Sequence, residues 1–457
     1  MAAMARVRLT AALVLLLAAA GGAEEGPRRL SHRVWLLGGV PDEKTFTTLR
    51  ALGVAGIVLP VGRVELGEDS CRFTLAQLPD LAALAGWPVT AMVWVEGSGK
   101  ASGDPESFTT QLIPVQRGLT GSEGLLLVSR KFFPGFAGFA MGVAARLQRP
   151  VEVALPAQDL TQHLPPGGWP RVRPVAIAFG NPAALGFPAS TLQDDLAALD
   201  ALDEARVGYR AAVVVTPRVE PPPGPGGSSL AMLSSGEVAA FNPSERGNVF
   251  RLRKPLDWGG VPLAVGQSVT VDVVDTASYH RDLGMVLRPA RPLLEGWDTV
   301  GLPNAEPTFG MSRAAFLDYL RGESPNPRPR VEAEFPGPTA MRVTLTNPTS
   351  QASALATTGN WVELRFTGTE IRDVQLGDFG GMEYGRLGAD GAWHLTVARD
   401  ASAIRLFLTF VPPQARVTGA LVTFLSRPRD VLEQWHVRLG DGTDVIGPLE
   451  PVALTRR

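Results

Sequence analysis

The sequence predicts an α/β protein: a (β/α)8 TIM-like barrel with an inserted β-hairpin, followed by a C-terminal all-β sandwich. Three observations predict it. Between residues 31 and 323, short apolar β-branched runs alternate about eight times with amphipathic or Ala/Leu-rich segments. A proline-rich stretch, SPNPRPR at 324–330, ends that pattern. Beyond it the period changes to two: Val343 with Leu345, Val362 with Leu364 and Phe366, and Ile404 with Leu406, Leu408 and Phe410 each share one strand face.

The chain opens as an export signal does, with Arg6 and Arg8, the apolar run Leu9–Ala20, and small residues at Gly21, Gly22 and Ala23 before Glu24 and Glu25. That run is short of the roughly 20 apolar residues that span a bilayer. Residues 1–23 are therefore expected to be a cleaved signal peptide, and the mature chain periplasmic or secreted with no transmembrane segment; the rival is an uncleaved anchor. No cysteine stands at the cut, which excludes lipid attachment there.

A charged spacer runs to Arg33, and Val34–Leu37 reads as the first buried strand, closed by Gly38 and Gly39. Asp42–Leu52 follows as a helix with Phe46 and Leu49 on one face and Gly53 as its stop. Ala55–Leu59 is the second strand, broken by Pro60, and Leu75, Leu78, Leu81 and Leu84 then recur at helical spacing. Val89–Val95 is the third strand and delivers Glu96 to a Gly-Ser-Gly loop. A helix over Phe108–Val115, limited by Pro114, leads to the fourth strand, Gly124–Val128, and Gly135–Leu147 is an Ala/Phe-rich helix. Val151–Leu155 is the fifth strand, followed by the loop PAQDLTQHLPPGGWP, and Val175–Phe179 is the sixth. A helix capped by Ser190, with Leu192, Leu196, Leu199 and Leu202 at helical spacing and Asp194 in its first turn, leads to the seventh strand, Ala211–Val215. A stiff Pro/Gly linker from Glu220 and two alternating segments, at 249–253 and 269–273, interrupt the pattern as a hairpin. It resumes with a helix over Asp275–Leu287, the eighth strand at Trp297–Leu302, and a closing helix capped by Ser312.

Continuous apolar strands separated by helices imply a parallel sheet covered on both faces. Eight such units fit a closed barrel. The runner-up, an open doubly wound sheet, needs a Gly-rich phosphate turn that Gly38 and Gly39 do not complete. The expected domains are the barrel at 31–323, with its insertion at about 236–274, and the sandwich at 331–457.

Composition narrows the function. The net charge is -2, from 43 basic and 45 acidic residues, and no basic block would neutralise a row of phosphates, so nucleic acid is not an expected partner. Cys71 is the only cysteine: an internal disulfide is impossible, and the residue reads as a half-buried small side chain rather than a nucleophile. His32, His163, His280, His394 and His436 are scattered, and no His-Glu-x-x-His, Gly-x-Ser-x-Gly or Ser-x-x-Lys motif occurs. No metal and no cofactor is expected. Gly97-Ser-Gly-Lys100 lacks the leading Gly and following Ser/Thr of a phosphate loop.

Barrels of this kind gather function at the C-terminal ends of their strands, where the loops share one mouth. Those ends offer Glu96, Arg130 with Lys131, Asp159, Asn181, Asn304 and Glu306. Glu96 follows an apolar strand, where desolvation favours the protonated form needed of a general acid; its ordinary alternative is a carboxylate that caps the Gly-Ser-Gly turn or pairs with Arg130. Asp159 or Glu306 could supply the second carboxylate that glycosidic cleavage requires, and each otherwise reads as a solvated loop charge. Arg130, Asn181 and Asn304 are the candidate substrate-binding residues, and Trp94, Trp169 and Trp297 could stack on sugar rings or pack in the core. The eighth loop, Pro303–Pro307, has too little glycine and the wrong charge for a phosphate site.

The run HRVWLLGGV from His32 through the third strand, and the closing GWDTVGLP…FLDYLRGE stretch, resemble an uncharacterised bacterial family of exported proteins with a glycoside-hydrolase-like barrel and no assigned activity. The large retaining glycosidase superfamily places carboxylates after strands four and seven; here those positions read Ser129-Arg130 and Thr216-Pro217. The expected function is binding, extending to hydrolysis, of an envelope or extracellular glycan, with Glu96 as proton donor. The rival is a non-catalytic envelope or interaction protein.

Overall fold

The structure, a computed structural model, describes residues 30–454 apart from 79–81, 120–121, 148, 226, 235, 237, 245–246, 288–290 and 306–308. The expected signal peptide and Glu306 lie outside the described residues. These residues form two compact units: 30–216 with 281–303 and 320–323, and 217–280 with 304–319 and 324–454.

In the first unit, eight parallel strands close into a barrel: β1 (Ser31–Trp35), β2 (Val54–Leu66), β3 (Val89–Glu96), β4 (Ser122–Val128), β5 (Val151–Pro156), β6 (Val172–Gly180), β7 (Tyr209–Val214) and β8 (Leu294–Val300). Each pairs with its neighbour in order, and β1 closes the ring by pairing with both β8 and β2. The closed-barrel expectation therefore holds over the open sheet.

Local departures have identifiable causes. β2 runs through Pro60 rather than stopping there, because the register against β3 shifts between Pro60 and Gly62 and the missing N–H falls at that irregularity. Among its described residues, the leucine-spaced segment from Leu75 to Leu84 does not make the expected helix. Cys71–Leu75 is instead a strand antiparallel to the end of β2, Leu75 is exposed, and Ala82–Leu84 is a short 3-10 turn. Pro79 within that sequence would remove a helical donor. The loop expected after β5 begins as a helix, Ala157–His163. The cap of helix Leu192–Glu204 is Thr191, not Ser190: Thr191 Oγ1 accepts from the Asp194 N–H at 3.2 Å, and Asp194 Oδ2 accepts from the Thr191 N–H at 3.2 Å. The Thr191 hydroxyl, donating to Asp194 Oδ2 at 2.7 Å, and then the Thr191 N–H hold the exposed Asp194 carboxyl below its usual range. Thr191→Ala is expected to cost about 1 kcal/mol in urea unfolding.

The second unit is rich in antiparallel sheet. The expected hairpin exists, Asn248–Arg251 pairing with Ser268–Val271, but it belongs to a four-stranded sheet with Ala239–Ser244 and Arg218–Glu220. Trp258, Phe250 and Phe309 are buried in its core. Residues 330–454 form a sandwich of two sheets, one ordered 371–375, 415–424, 340–347, 330–337, 453–454, and the other 393–395, 381–387, 403–408, 360–366, 431–438, 444–446. Met341, Val343, Val362, Leu364, Ile404, Leu406, Val422 and Phe424 fill the space between them. No described helix in the chain is long and apolar enough to cross a membrane.

Candidate functional site

Strand side chains alternate, so each barrel strand contributes residues to the interior at a spacing of two. One interior layer is apolar: Trp35, Val58, Met92, Leu126, Ala154, Val175, Ala212 and Val300 form a single buried cluster. Two residues earlier on the same strands stand Arg33, Gly56, Thr90, Gly124, Glu152, Arg173, Arg210 and Asp298. Six of those eight are polar, and they interlock. Asp298 is wholly buried and accepts from Arg33 Nε and Nη2 (3.0 and 2.8 Å), Arg210 Nε (2.9 Å) and Trp35 Nε1 (2.9 Å). Arg33 Nη1 also reaches Glu152 Oε2 at 2.6 Å. Burial alone opposes ionisation of Asp298, but Arg210 and Arg33 outweigh it and hold the carboxyl far below its usual range. On the outer face His32 stacks on Trp297, centroids 4.8 Å apart, and its pKa is pushed down to about 3, chiefly by burial. This layer lies toward the N-terminal ends of the strands, opposite the mouth where ligands bind in such barrels.

At the other end the interior is closed by apolar side chains. Val128, Ile177 and Val214 continue the core, joined by Trp94, Leu37, Leu185 and Phe187. Phe187 packs against Trp94 with centroids 6.0 Å apart. Glu96 ends β3 two residues beyond Trp94, and its side chain is 42% exposed between two cations: Arg63 Nη1 and Arg130 Nη1 each stand 3.7 Å from its Oε1. The ion pair with Arg130, one of the ordinary alternatives for this carboxylate, is present.

Arg130 is positioned from three sides. Its Nε donates to the Leu185 carbonyl at 2.9 Å, its guanidinium lies 5.2 Å over the Trp94 ring, and Gly186 leaves it room. A Cβ on Gly186 would sit 3.0 Å from Arg130 Nε, at a backbone φ of +79° that favours glycine.

Asp159 lies in the first turn of helix Ala157–His163, and its Oδ2 accepts from the Phe132 N–H at 2.7 Å. It clamps the loop that carries Arg130. The Phe132 ring stacks on His163 (3.9 Å) and, more loosely, on Trp169 (6.4 Å). Asn181 is half-buried at the start of the turn Pro182–Leu185, its N–H donating to the Val214 carbonyl at 2.8 Å. Asn304 belongs to the second unit, where its carbonyl accepts from the Arg313 N–H at 2.8 Å. The structure thus joins Glu96 directly to Arg130, and Asp159 to the Arg130 loop.

Two groups escaped the sequence reading. Arg63 lies on the continuation of β2 past Pro60, where the sequence suggested no strand. Asp195 and Asp282, both buried, accept from the consecutive N–H groups of Phe179 (2.9 Å) and Gly180 (3.0 Å). Both carboxyls are pushed up by burial. They hold the end of β6 where Phe179 and Gly180 have φ of +64° and +70°, an unusual backbone for phenylalanine. The cavity beside Asp195 is only about 10 Å3, room for about one water molecule. This pair is a backbone clamp with no space for a sugar. Among the described residues no group of three or more His, Cys, Asp or Glu side chains could hold a metal ion.

The rim brings together the partly buried rings of Trp94 and Phe132, the guanidinium groups of Arg130 and Arg63, and the Glu96 carboxylate. No protein-family model and no curated protein matches the chain. Among solved structures it is similar to the spore cortex-lytic enzyme SleL of Bacillus megaterium, with 11% identity and a TM-score of 0.36 over 63% of this chain and 77% of that one. It is similar to a GH30 endoxylanase from Clostridium papyrosolvens, with 9% identity and a TM-score of 0.30 over 86% and 95%. A cycloisomaltooligosaccharide glucanotransferase from Paenibacillus sp. is similar at 8% identity and a TM-score of 0.27, over 87% of this chain and 57% of that one.

Proposed function

We propose that this chain is an exported glycan-binding barrel protein that does not hydrolyse its ligand. One observation carries the reading: both described candidate carboxylates are already engaged, above a barrel interior packed to its rim. Asp159 is committed to the Phe132 N–H, and Glu96 to two arginines. Trp94, Leu185 and Phe187 occupy the place where a scissile bond would have to enter. Glycosidic cleavage needs an acid and a second carboxylate facing each other across the sugar, at roughly 5 to 10 Å. What supports a sugar as ligand is the aromatic surface beside guanidinium donors and a carboxylate acceptor, since a pyranose offers apolar C–H faces and hydroxyl edges together. The export signal expected over residues 1–23 supports a ligand in the envelope or outside the cell.

The test is a glycan array with the mature chain, followed by a reducing-end assay on every glycan bound. Trp94→Ala and Arg130→Ala are each expected to weaken rim binding at least tenfold, with no product released by the parent chain. Turnover that Glu96→Gln or Asp159→Asn abolishes would overturn the non-hydrolytic reading in favour of catalysis.

A further inference from the structure

We infer that the sandwich carries a separate binding groove for an acidic oligosaccharide, one whose sugars bear carboxylate groups. The groove encloses about 650 Å3 and is lined by residues of the sandwich alone, among them Phe335, Thr367, Leu387, Ser402, Arg427 and Arg429. Its volume falls in the range of small-molecule sites, roughly 300–1,000 Å3.

Its charge is the first argument. Arg365, also on the wall, pairs at 2.7 Å with Glu363, a carboxylate it shares with Arg405. Asp430, the one carboxylate among the described residues that line the groove, accepts from the Thr367 hydroxyl at 3.1 Å. Arg427 and Arg429 are exposed, and neither has an acidic partner among the described residues. The groove therefore presents two guanidinium groups against one carboxylate, and guanidinium suits the planar, two-oxygen geometry of a carboxylate.

The second argument is preorganisation. The Arg427 guanidinium lies 5.2 Å over the Phe335 ring, and the Arg429 stem packs on Gly368, where an added Cβ would stand 2.9 Å from its Cγ. Between them Pro428 is buried and fixes its own φ. Two segments zip together beneath: Arg429 N–H to Thr367 O (3.0 Å), Thr367 N–H to Asp430 O (3.2 Å) and Ser426 N–H to Thr369 Oγ1 (3.0 Å). Both cations are thus mounted on a stapled rim, which lowers the ordering cost of binding. The third argument selects a sugar over a bare anion. Phe335, Leu387 and Val431 give the groove an apolar wall that a small hydrated ion cannot use, while the Thr367 and Ser402 hydroxyls suit sugar hydroxyls.

The inference does not rest on the barrel rim. Calorimetric titration of the mature full chain with oligogalacturonate, a neutral galacto-oligosaccharide of equal length, and inorganic phosphate tests it. Oligogalacturonate is expected to bind at least tenfold tighter than either comparison ligand and to weaken as salt rises. Arg427→Gln and Arg429→Gln should each cost at least fivefold, while Arg386→Gln, which lies outside the groove lining, should change nothing. Equal affinity for the neutral sugar or for phosphate overturns the proposal. So does acidic-sugar binding that Trp94→Ala abolishes and the two groove variants spare, because it would put that ligand at the rim.

Discussion

Asp298→Asn is expected to destabilise the barrel unit by about 3–5 kcal/mol, the largest effect of any single substitution considered for it. The reason is asymmetry. Asp298 sits at 0% exposure and is the shared acceptor of two guanidinium groups whose side chains are only 11% and 4% exposed. Assembling such a layer from charged side chains earns little net stability over a well-packed apolar one. Removing its central anion leaves Arg33 and Arg210 buried against each other, with only Glu152 to compensate Arg33. Urea unfolding should show a lower midpoint at unchanged slope. Arg146→Gln is the contrast: its pair with Glu106, 3.8 Å apart, joins side chains 43% and 79% exposed, and its loss should cost less than about 1 kcal/mol. A loss below about 1 kcal/mol for Asp298→Asn would show that the charged layer relaxes or admits water.

The barrel was legible because its strands are apolar on both faces, and such runs stand out between Gly and Pro punctuation whatever their partners. The charged layer was hidden by the same property. Arg33 reads as the end of a spacer, and the polar residues of VEVALP and YRAAVV look like strand margins. Yet Arg33 and Trp35, Glu152 and Ala154, Arg210 and Ala212, Asp298 and Val300 repeat one polar-x-apolar step on four strands. That recurrence was the available signal, and only the closed ring turns it into one layer. The rim was legible in part. Strand ends place Glu96 and Arg130 from sequence alone, but whether a carboxylate faces substrate or an arginine depends on neighbours far away in the chain. Arg63 reaches Glu96 only because β2 continues through an irregularity at Pro60. The leucine spacing from Leu75 misled because periodicity carries no information about a competing strand partner, and β2 supplied one.

Glu433 in the sandwich and His32 in the barrel are expected to contribute to the pH dependence of stability in opposite directions. In the sandwich Glu433 is 4% exposed, faces the core beside Leu364, has one carboxyl oxygen without a hydrogen-bond partner, and pairs across the sheet with Glu450. Burial, then the Glu450 charge, pushes its pKa up to about 7 from the usual 4.5. Between those values the folded chain holds a proton that the unfolded chain has released, so stability is greatest below about pH 4.5. It falls as pH rises to about 7 and is then level, the loss approaching about 3 kcal/mol. Glu433→Gln mimics the protonated form. It should leave the sandwich transition unchanged near pH 4 and raise it at pH 8. His32 in the barrel works the other way: its pKa of about 3 lies below the unfolded value of 6.5, so its contribution is complete above about pH 6.5 and is lost on acidification. Scanning calorimetry at pH 5 and pH 8 should therefore show the sandwich transition falling as pH rises, while in the barrel the gain from His32 is opposed by the raised carboxyls of Asp195 and Asp282. Asp298→Asn identifies the barrel transition and Glu433→Gln the sandwich transition. If Glu433→Gln lowers stability at pH 8 as much as at pH 4, the carboxylate is ionised and satisfied in the folded chain, and the alkaline loss must come from another group.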